Sequence, residues 1–315
     1  MSSVFTRALP FAGSDPRAAA LPLMLIAPAL FAANMVVARW AEGVGIPPVF
    51  LAFGRWALAF LIILPFVAQR LVVERALLLA NAPRILLLGG LGMGVAVAPQ
   101  YIGAGYTSAT NVALIISACP VLVALIEAMV WREPVGTRRA IGMSLAIWGV
   151  LVVLSRGDAA ALGSLDFGRG DLWVMLAALG WSAYTVLSRR RPLPPLAGEI
   201  RIAVLILGGA LALAPFALLE ALGGSLPDLG RWEPYFALSF LAIVPGLGAY
   251  FCYDRLVSLA GPAGASASLY LVPMYAALAA WPVLGEVPQA YHIAGFALIL
   301  AGVLLSGLQQ GRPTH

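Results

Sequence analysis

Apolar runs of about 20 residues follow one another along almost the whole chain, separated by short connections in which Arg, Asp, Glu, Gly and Pro collect. A helix of that length spans a hydrocarbon core of roughly 30 Å. The pattern predicts ten such helices, at residues 20–41, 47–69, 84–105, 108–131, 138–155, 171–190, 199–220, 234–258, 263–284 and 290–309. The expected fold class is all-α, a polytopic membrane protein with ten transmembrane helices.

The last five runs repeat the first five. Pro120, Glu133, Gly142 and Gly149 recur about 153 positions later as Pro273, Glu286, Gly295 and Gly302. The apolar stretches that begin at Cys119 and Val272 match as well, each leading to a Glu and then to another Gly-punctuated run. Two repeats are expected, 20–155 and 171–309, with 1–19 and 310–315 as cytoplasmic tails. Because each holds an odd number of spans, the two must enter the membrane from opposite sides, which gives inverted topologies.

Charge tests that inversion. Every basic residue is Arg, and a cytoplasmic N-terminus places fourteen arginines inside against Arg39, Arg156, Arg169 and Arg231 outside, as the positive-inside rule requires. Arg70, Glu74, Arg75 and Arg84 give one loop a net +2, whereas Glu220, Asp228, Arg231 and Glu233 give its repeat counterpart −2. Both termini are expected in the cytoplasm, at the cell's inner (plasma) membrane. The first run is too long for a signal-peptide core and lacks a cleavage site, so it is expected to remain as a helix.

Composition narrows the function. With 62% hydrophobic and 10% charged residues and a mean hydropathy of +0.95, a soluble chain would lack the polar surface to cover itself. The net charge of +5 belongs to a cytoplasmic membrane face, and no basic stretch interleaved with aromatics points to nucleic acid. Cys119 and Cys252 stand at non-equivalent repeat positions and offer neither a disulfide framework nor metal-ligand spacing. No metal or other cofactor is expected; the expected partners are the lipid bilayer and a small organic substrate, and no oligomeric state is indicated. A chain without Lys has no nucleotide-binding Gly-x-x-x-x-Gly-Lys motif, so any transport would be secondary or facilitative.

Several intramembrane residues stand out. Pro120 and Pro273 fall near the centres of their spans and should deprive the Ile116 and Leu269 carbonyls of their helical partners, which marks them as paired hinges. Asn34 aligns with Tyr184 across the repeat, and with Trp181 they point to a shared cavity, although helix glue is an equal explanation for an intramembrane Asn. Gln100 and Asn111, near Tyr101 and Tyr106, suggest a polar outer vestibule. Tyr250 and Tyr253 lie towards the inner end of the eighth span with Asp254. Charges well inside spans are few, namely Arg55 and Glu127, and Glu127 either snorkels to the cytoplasm or serves as a proton-coupling carboxylate. Glu133 and Glu286 read as helix caps. Intramembrane glycines such as Gly90, Gly94, Gly246 and Gly248 indicate close helix packing or backbone breaks at a cavity.

Two other classes were weighed. Gly168-Arg169-Gly170-Asp171 and Tyr253-Asp254 look like the motifs of intramembrane aspartyl proteases, but their order is reversed and the carboxylates would lie at opposite faces. A receptor or structural membrane protein would not need matched midspan prolines and polar groups.

Tyr106-Thr107-Ser108-Ala109 leading into Pro120 and Trp131-Arg132-Glu133-Pro134, then Ala260-Gly261-Pro262-Ala263 leading into Pro273 and Leu284-Gly285-Glu286, resemble the EamA family of the drug/metabolite transporter superfamily. The resemblance covers nearly the whole chain. It implies a ten-helix carrier of small metabolites, often an exporter and in some cases of amino acids; the paired hinges at Pro120 and Pro273 lead to the further expectation of alternating access. It also implies a cavity between the first, third and fourth helices and the sixth, eighth and ninth, onto which Asn34, Gln100, Asn111, Trp181, Tyr184, Tyr250 and Tyr270 map.

Overall fold

Proline punctuates the chain: Pro48, Pro83, Pro99, Pro120, Pro234 and Pro273 each stand in the first turn of a helix, where the missing N–H removes no intrahelical bond. The computed structural model describes residues 16–132, 135–158 and 168–307, and among these the regular structure is entirely helical. The first half comprises α1 (Pro16–Gly43), α2 (Pro48–Val73), a short α3 (Arg75–Ala80), α4 (Ala82–Gly89), a π-helical segment Gly90–Val95, α5 (Ala98–Ala104), α6 (Ala109–Ser117), α7 (Cys119–Val130) and α8 (Thr137–Leu154). The second comprises α9 (Arg169–Arg190), α10 (Gly198–Leu222), α11 (Glu233–Leu241), a second π-helical segment Ala242–Gly248, α12 (Ala249–Ser268), a 3₁₀ turn Leu269–Leu271, α13 (Val272–Leu284) and α14 (Ala290–Gly307).

Among the described residues eight helical runs are long and apolar enough to cross a membrane, and Leu269–Leu284 and Ala290–Leu305 are shorter apolar helices. The connection expected at 259–262 is not an extended loop, because helical backbone is continuous from Ala249 to Ser268. α3 also lies inside a segment expected to be a plain loop. Residues 16–19, expected as part of the N-terminal tail, begin α1; residues 1–15, the C-terminal tail and the expected cap Glu133 fall outside the described residues.

The packing exchanges the halves. α1 packs on α12 and α13, while α9 packs on α5 and α7; α2 lies against α10, and α8 against α14. At the α8–α14 contact the repeated glycines meet: a Cβ on Gly149 would sit 2.8 Å from the Gly295 carbonyl oxygen, one on Gly295 3.1 Å from that of Gly149, and one on Gly302 would collide with that of Gly142. With no side chain between them the two backbones touch, which gives the dispersion contact that lipid-embedded helices rely on.

Two large buried clusters form among the described residues, beside two smaller ones. One gathers Trp56, Ile206 and Leu241 around α2, α10 and α11, and the other Val112, Val153 and Ile299 around α6, α8 and α14. Large apolar side chains such as Leu61, Phe66, Leu218 and Leu219 remain exposed, as suits a lipid-facing surface.

Candidate functional site

Arg55, two turns into α2, is only 2% exposed. Its Nη1 donates to both the Asn34 side-chain oxygen on α1 and the Tyr101 hydroxyl on α5, and that hydroxyl donates onward to the same Asn34 oxygen at 2.7 Å. The guanidinium also lies 4.2 Å from the centre of the Trp56 ring, within cation–π range. The Trp56 indole in turn donates to the Met93 carbonyl at 2.7 Å, inside the first π segment. Three helices of the first half are thereby tied at one buried cation.

The second half supplies an aromatic wall. Tyr250 packs edge-on to Trp56 at 6.0 Å and to Phe31 at 5.6 Å, and its hydroxyl donates to the Met93 sulfur at 3.6 Å. Trp181 and Tyr184, one turn apart on α9, stack at 5.3 Å. The Tyr184 ring lies so close to Gly92 that a Cβ there would come to 2.8 Å from it. Tyr184 and Tyr250 therefore meet the first π segment directly, and Asn34 is linked to it through Arg55 and Trp56. Both π segments contain glycines for which close helix packing was the safer expectation, and they occupy matching repeat positions; such wide turns leave backbone groups free to be used at functional sites.

Asn111 belongs elsewhere. It is 2% exposed and donates to Thr107, whose hydroxyl donates to Asp171 at 2.6 Å. The Asn111 side-chain oxygen meets His292 Nε2 at 3.0 Å, and because His292 Nδ1 accepts the Gln289 amide at 2.8 Å, Nε2 carries the proton of a neutral ring. This network borders a recess of about 320 Å³ lined by residues including Arg39, Tyr106, Thr107, Asn111, Glu286 and Tyr291. Gln100 is buried on α5, and its amide nitrogen has no partner among the described residues. Tyr270, on the 3₁₀ turn, packs against the cluster containing Val112 and Ile299.

Glu286 caps a helix, though not the one that follows it. Its carboxylate accepts the Ala109 amide at the start of α6 at 2.9 Å and lies 3.5 Å from Arg39. Glu127 does not reach for solvent. It is 3% exposed and paired with Arg139 of α8 and Arg189 of α9, each at 3.2 Å. Asp171 and Asp254 belong to separate networks, the former with Thr107 and the latter with Arg201 at 3.1 Å. Among the described residues no group of three His, Cys, Asp or Glu side chains is placed to hold a metal.

At Pro120 and Pro273 both spans are interrupted. α6 ends at Ser117, and the Ala118 amide turns to the Ile115 carbonyl at 3.2 Å before α7 restarts. In the second half the interruption is the 3₁₀ turn, whose geometry lets the Val272 amide use the Leu269 carbonyl that Pro273 was expected to leave free.

Sequence reasoning noticed Arg55 as an intramembrane charge but gave it no role, and it missed Phe31, Trp56 and Met93 entirely. The signal available was Arg55 itself, since a charge inside an apolar span needs a compensating environment.

The EamA-like transporter family matches this chain over residues 18–155 and 168–308. An uncharacterized transporter of Bacillus subtilis, YyaM, is 27% identical over 80% of this chain and 81% of its own length. A probable terminal-alkyne amino-acid exporter of Streptantibioticus cattleyicolor is 26% identical over 71% of this chain and 73% of its own. A solved crystal structure aligns with a TM-score of 0.60 at 20% identity, covering 94% of this chain and all of that one, a likeness of fold. The family and these relatives are transporters rather than enzymes. With its apolar helices and its match across both halves, the chain is a multi-pass membrane protein that belongs to the EamA-like transporter family.

Proposed function

We propose that the protein is a secondary or facilitative transporter that exports a small organic metabolite, an amino acid or a related compound, across the inner (plasma) membrane by alternating access. The observation that carries this reading is the paired interruption of the helices around the centre. Both halves break at Pro120 and Pro273, and both carry a π segment at matching positions beside the aromatic and polar side chains. Irregular backbone is tolerated at membrane depth where protein or a cavity covers it, and this is where carriers bind their solutes. The amino-acid assignment is supported by the Streptantibioticus relative's name.

The same proposal includes ten spans in two inverted repeats of five, 20–155 and 171–309, with both termini cytoplasmic. Its support is that each of these ion pairs joins segments assigned to the same side: Arg70 with Glu199, Arg201 with Asp254 and Glu127 with Arg139 and Arg189 inside, Arg39 with Glu286 outside. In a Cys-free background, a cysteine at Pro227 should label from outside and one at Asn81 from inside; the opposite result would reverse the orientation. Flux of radiolabelled amino acids in sealed proteoliposomes, with and without a proton gradient, tests transport directly. Binding without flux under any gradient would favour a receptor.

A further inference from the structure

We propose that Arg55 binds a carboxylate group of the transported solute, which makes the substrate an organic carboxylate with an apolar or aromatic body; its identification as the cargo rests on the transport reading above, whereas the binding itself does not. No ion pair joins Arg55 to a described carboxylate, and the groups that surround the guanidinium are neutral: Asn34, Trp56 and Tyr101. A buried cation inside a span is costly without a counter-charge, and such residues mark substrate paths.

Its hydrogen bonds show which edge is available. Nη1 directs both its protons to Asn34 and Tyr101, while Nε is buried without a partner and Nη2 makes no hydrogen bond among the described residues. The Nε and Nη2 protons lie parallel along one edge of the planar fork, the edge that grips a carboxylate through two bonds at once. Gly246 of the second π segment lies near Nη2, where a Cβ would stand 3.8 Å from it, and as a glycine it puts no side chain of its own there.

Asn34 adds a second donor. Two donors, from Arg55 and Tyr101, fix its oxygen, which turns its amide nitrogen the other way, and that nitrogen makes no hydrogen bond among the described residues. One turn back on α1 is Phe31, whose ring meets Tyr250 at 5.6 Å. Cation, amide and aromatic surface thus lie in the order in which an acid with an apolar body would use them.

The test uses the full-length protein in detergent and follows thermal unfolding. Phenylacetate, L-phenylalanine and L-leucine are each compared with their amides, and sodium chloride is titrated in parallel. Each acid is expected to raise the melting temperature at a concentration at least tenfold below that of its amide. Arg55→Gln should erase that preference, and Arg55→Lys, which keeps the charge but not the fork, should retain only part of it. Should Arg55→Gln fail to fold, Asn34→Asp answers the same question: an internal carboxylate beside Arg55 should raise stability and abolish the response to the acids. Equal stabilisation by acids and amides, no response to any acid, a preference that persists in Arg55→Gln or Asn34→Asp, or chloride reproducing the Arg55-dependent shift would each overturn the proposal. Arg55-dependent binding without flux in proteoliposomes would sink the transport reading and leave the carboxylate site standing. Flux that ignores the carboxylate would leave transport standing and overturn the identification of the carboxylate as cargo.

Discussion

The Glu286 carboxylate accepts the Ala109 amide proton at 2.9 Å across 177 residues of sequence. This places the turn before α14 on the N-terminus of α6, where a carboxylate satisfies a free N–H and opposes the helix dipole. Burial pushes the Glu286 carboxyl above the usual range, outweighing Arg39 and the Ala109 amide, which pull it down. The folded state therefore holds this proton more tightly than the unfolded chain, and the contribution is fully present below the unfolded value of about 4.3 and lost as pH rises through the folded one. Glu286→Gln should flatten that component of a thermal-stability profile against pH, and Glu286→Ala should cost about 1 kcal/mol as a lost cap. A profile unchanged in Glu286→Gln would show that the carboxyl does not titrate there.

Gly149→Val should break the α8–α14 contact. The new side chain meets the Gly295 carbonyl and Ile299, and forcing such an overlap costs about 1 to 3 kcal/mol. Gly43→Ala, where a Cβ meets nothing within 4 Å, is the matched control. Equal melting temperatures for the two variants would refute the seam.

Glu127 ties three helices near the inner side, and its partner Arg189 is 59% exposed, so the pair is partly screened. Glu127→Gln should lower stability by about 1 kcal/mol. If Glu127 is a brace, flux in the variant still responds to a proton gradient; if the response disappears, the carboxylate couples proton movement to transport.

Pro120→Ala and Pro273→Ala together should favour straight fourth and ninth spans and bias the carrier towards one-sided access. Flux is expected to fall severalfold more than ligand affinity. Normal flux in the folded double variant would reduce both prolines to packing elements.

Trp181→Ala with Tyr184→Ala should remove the ring pair whose Tyr184 member rests over Gly92. Loss of an aromatic contact surface is expected to weaken apparent substrate affinity at least tenfold. Proteoliposome kinetics that match the parent would exclude the pair from the binding surface.

Helical class and the repeat of Pro120, Gly142 and Gly149 were legible because apolar run length and fixed spacing are one-dimensional signals. What those residues touch was not. Gly149 and Gly295 face each other across 146 positions of sequence, and no periodicity reports that contact. Arg55 was visible as a charge, but its partners Asn34 and Tyr101 stand on different helices, 21 and 46 residues away. Gln100 and Asn111 seemed to form one vestibule because both lie near the same helix ends; helix rotation, which a mixed apolar span does not reveal, sends Asn111 to His292 and leaves Gln100 out of the recess lining. The π segments escaped notice for a related reason, since Gly90–Val95 reads as ordinary small-residue packing until the backbone is seen.

The glycine seam also has a consequence for biogenesis. Gly142, Ala146 and Gly149 on α8 find their partners in Gly295, Ile299 and Gly302. During synthesis the ribosome must add well over a hundred residues before that bare groove is covered, and a chain stopped short of α14 would leave backbone carbonyls facing lipid with nothing packed against them. Nascent first halves are thus natural clients for insertion chaperones, and C-terminal truncations natural targets for membrane quality-control proteases.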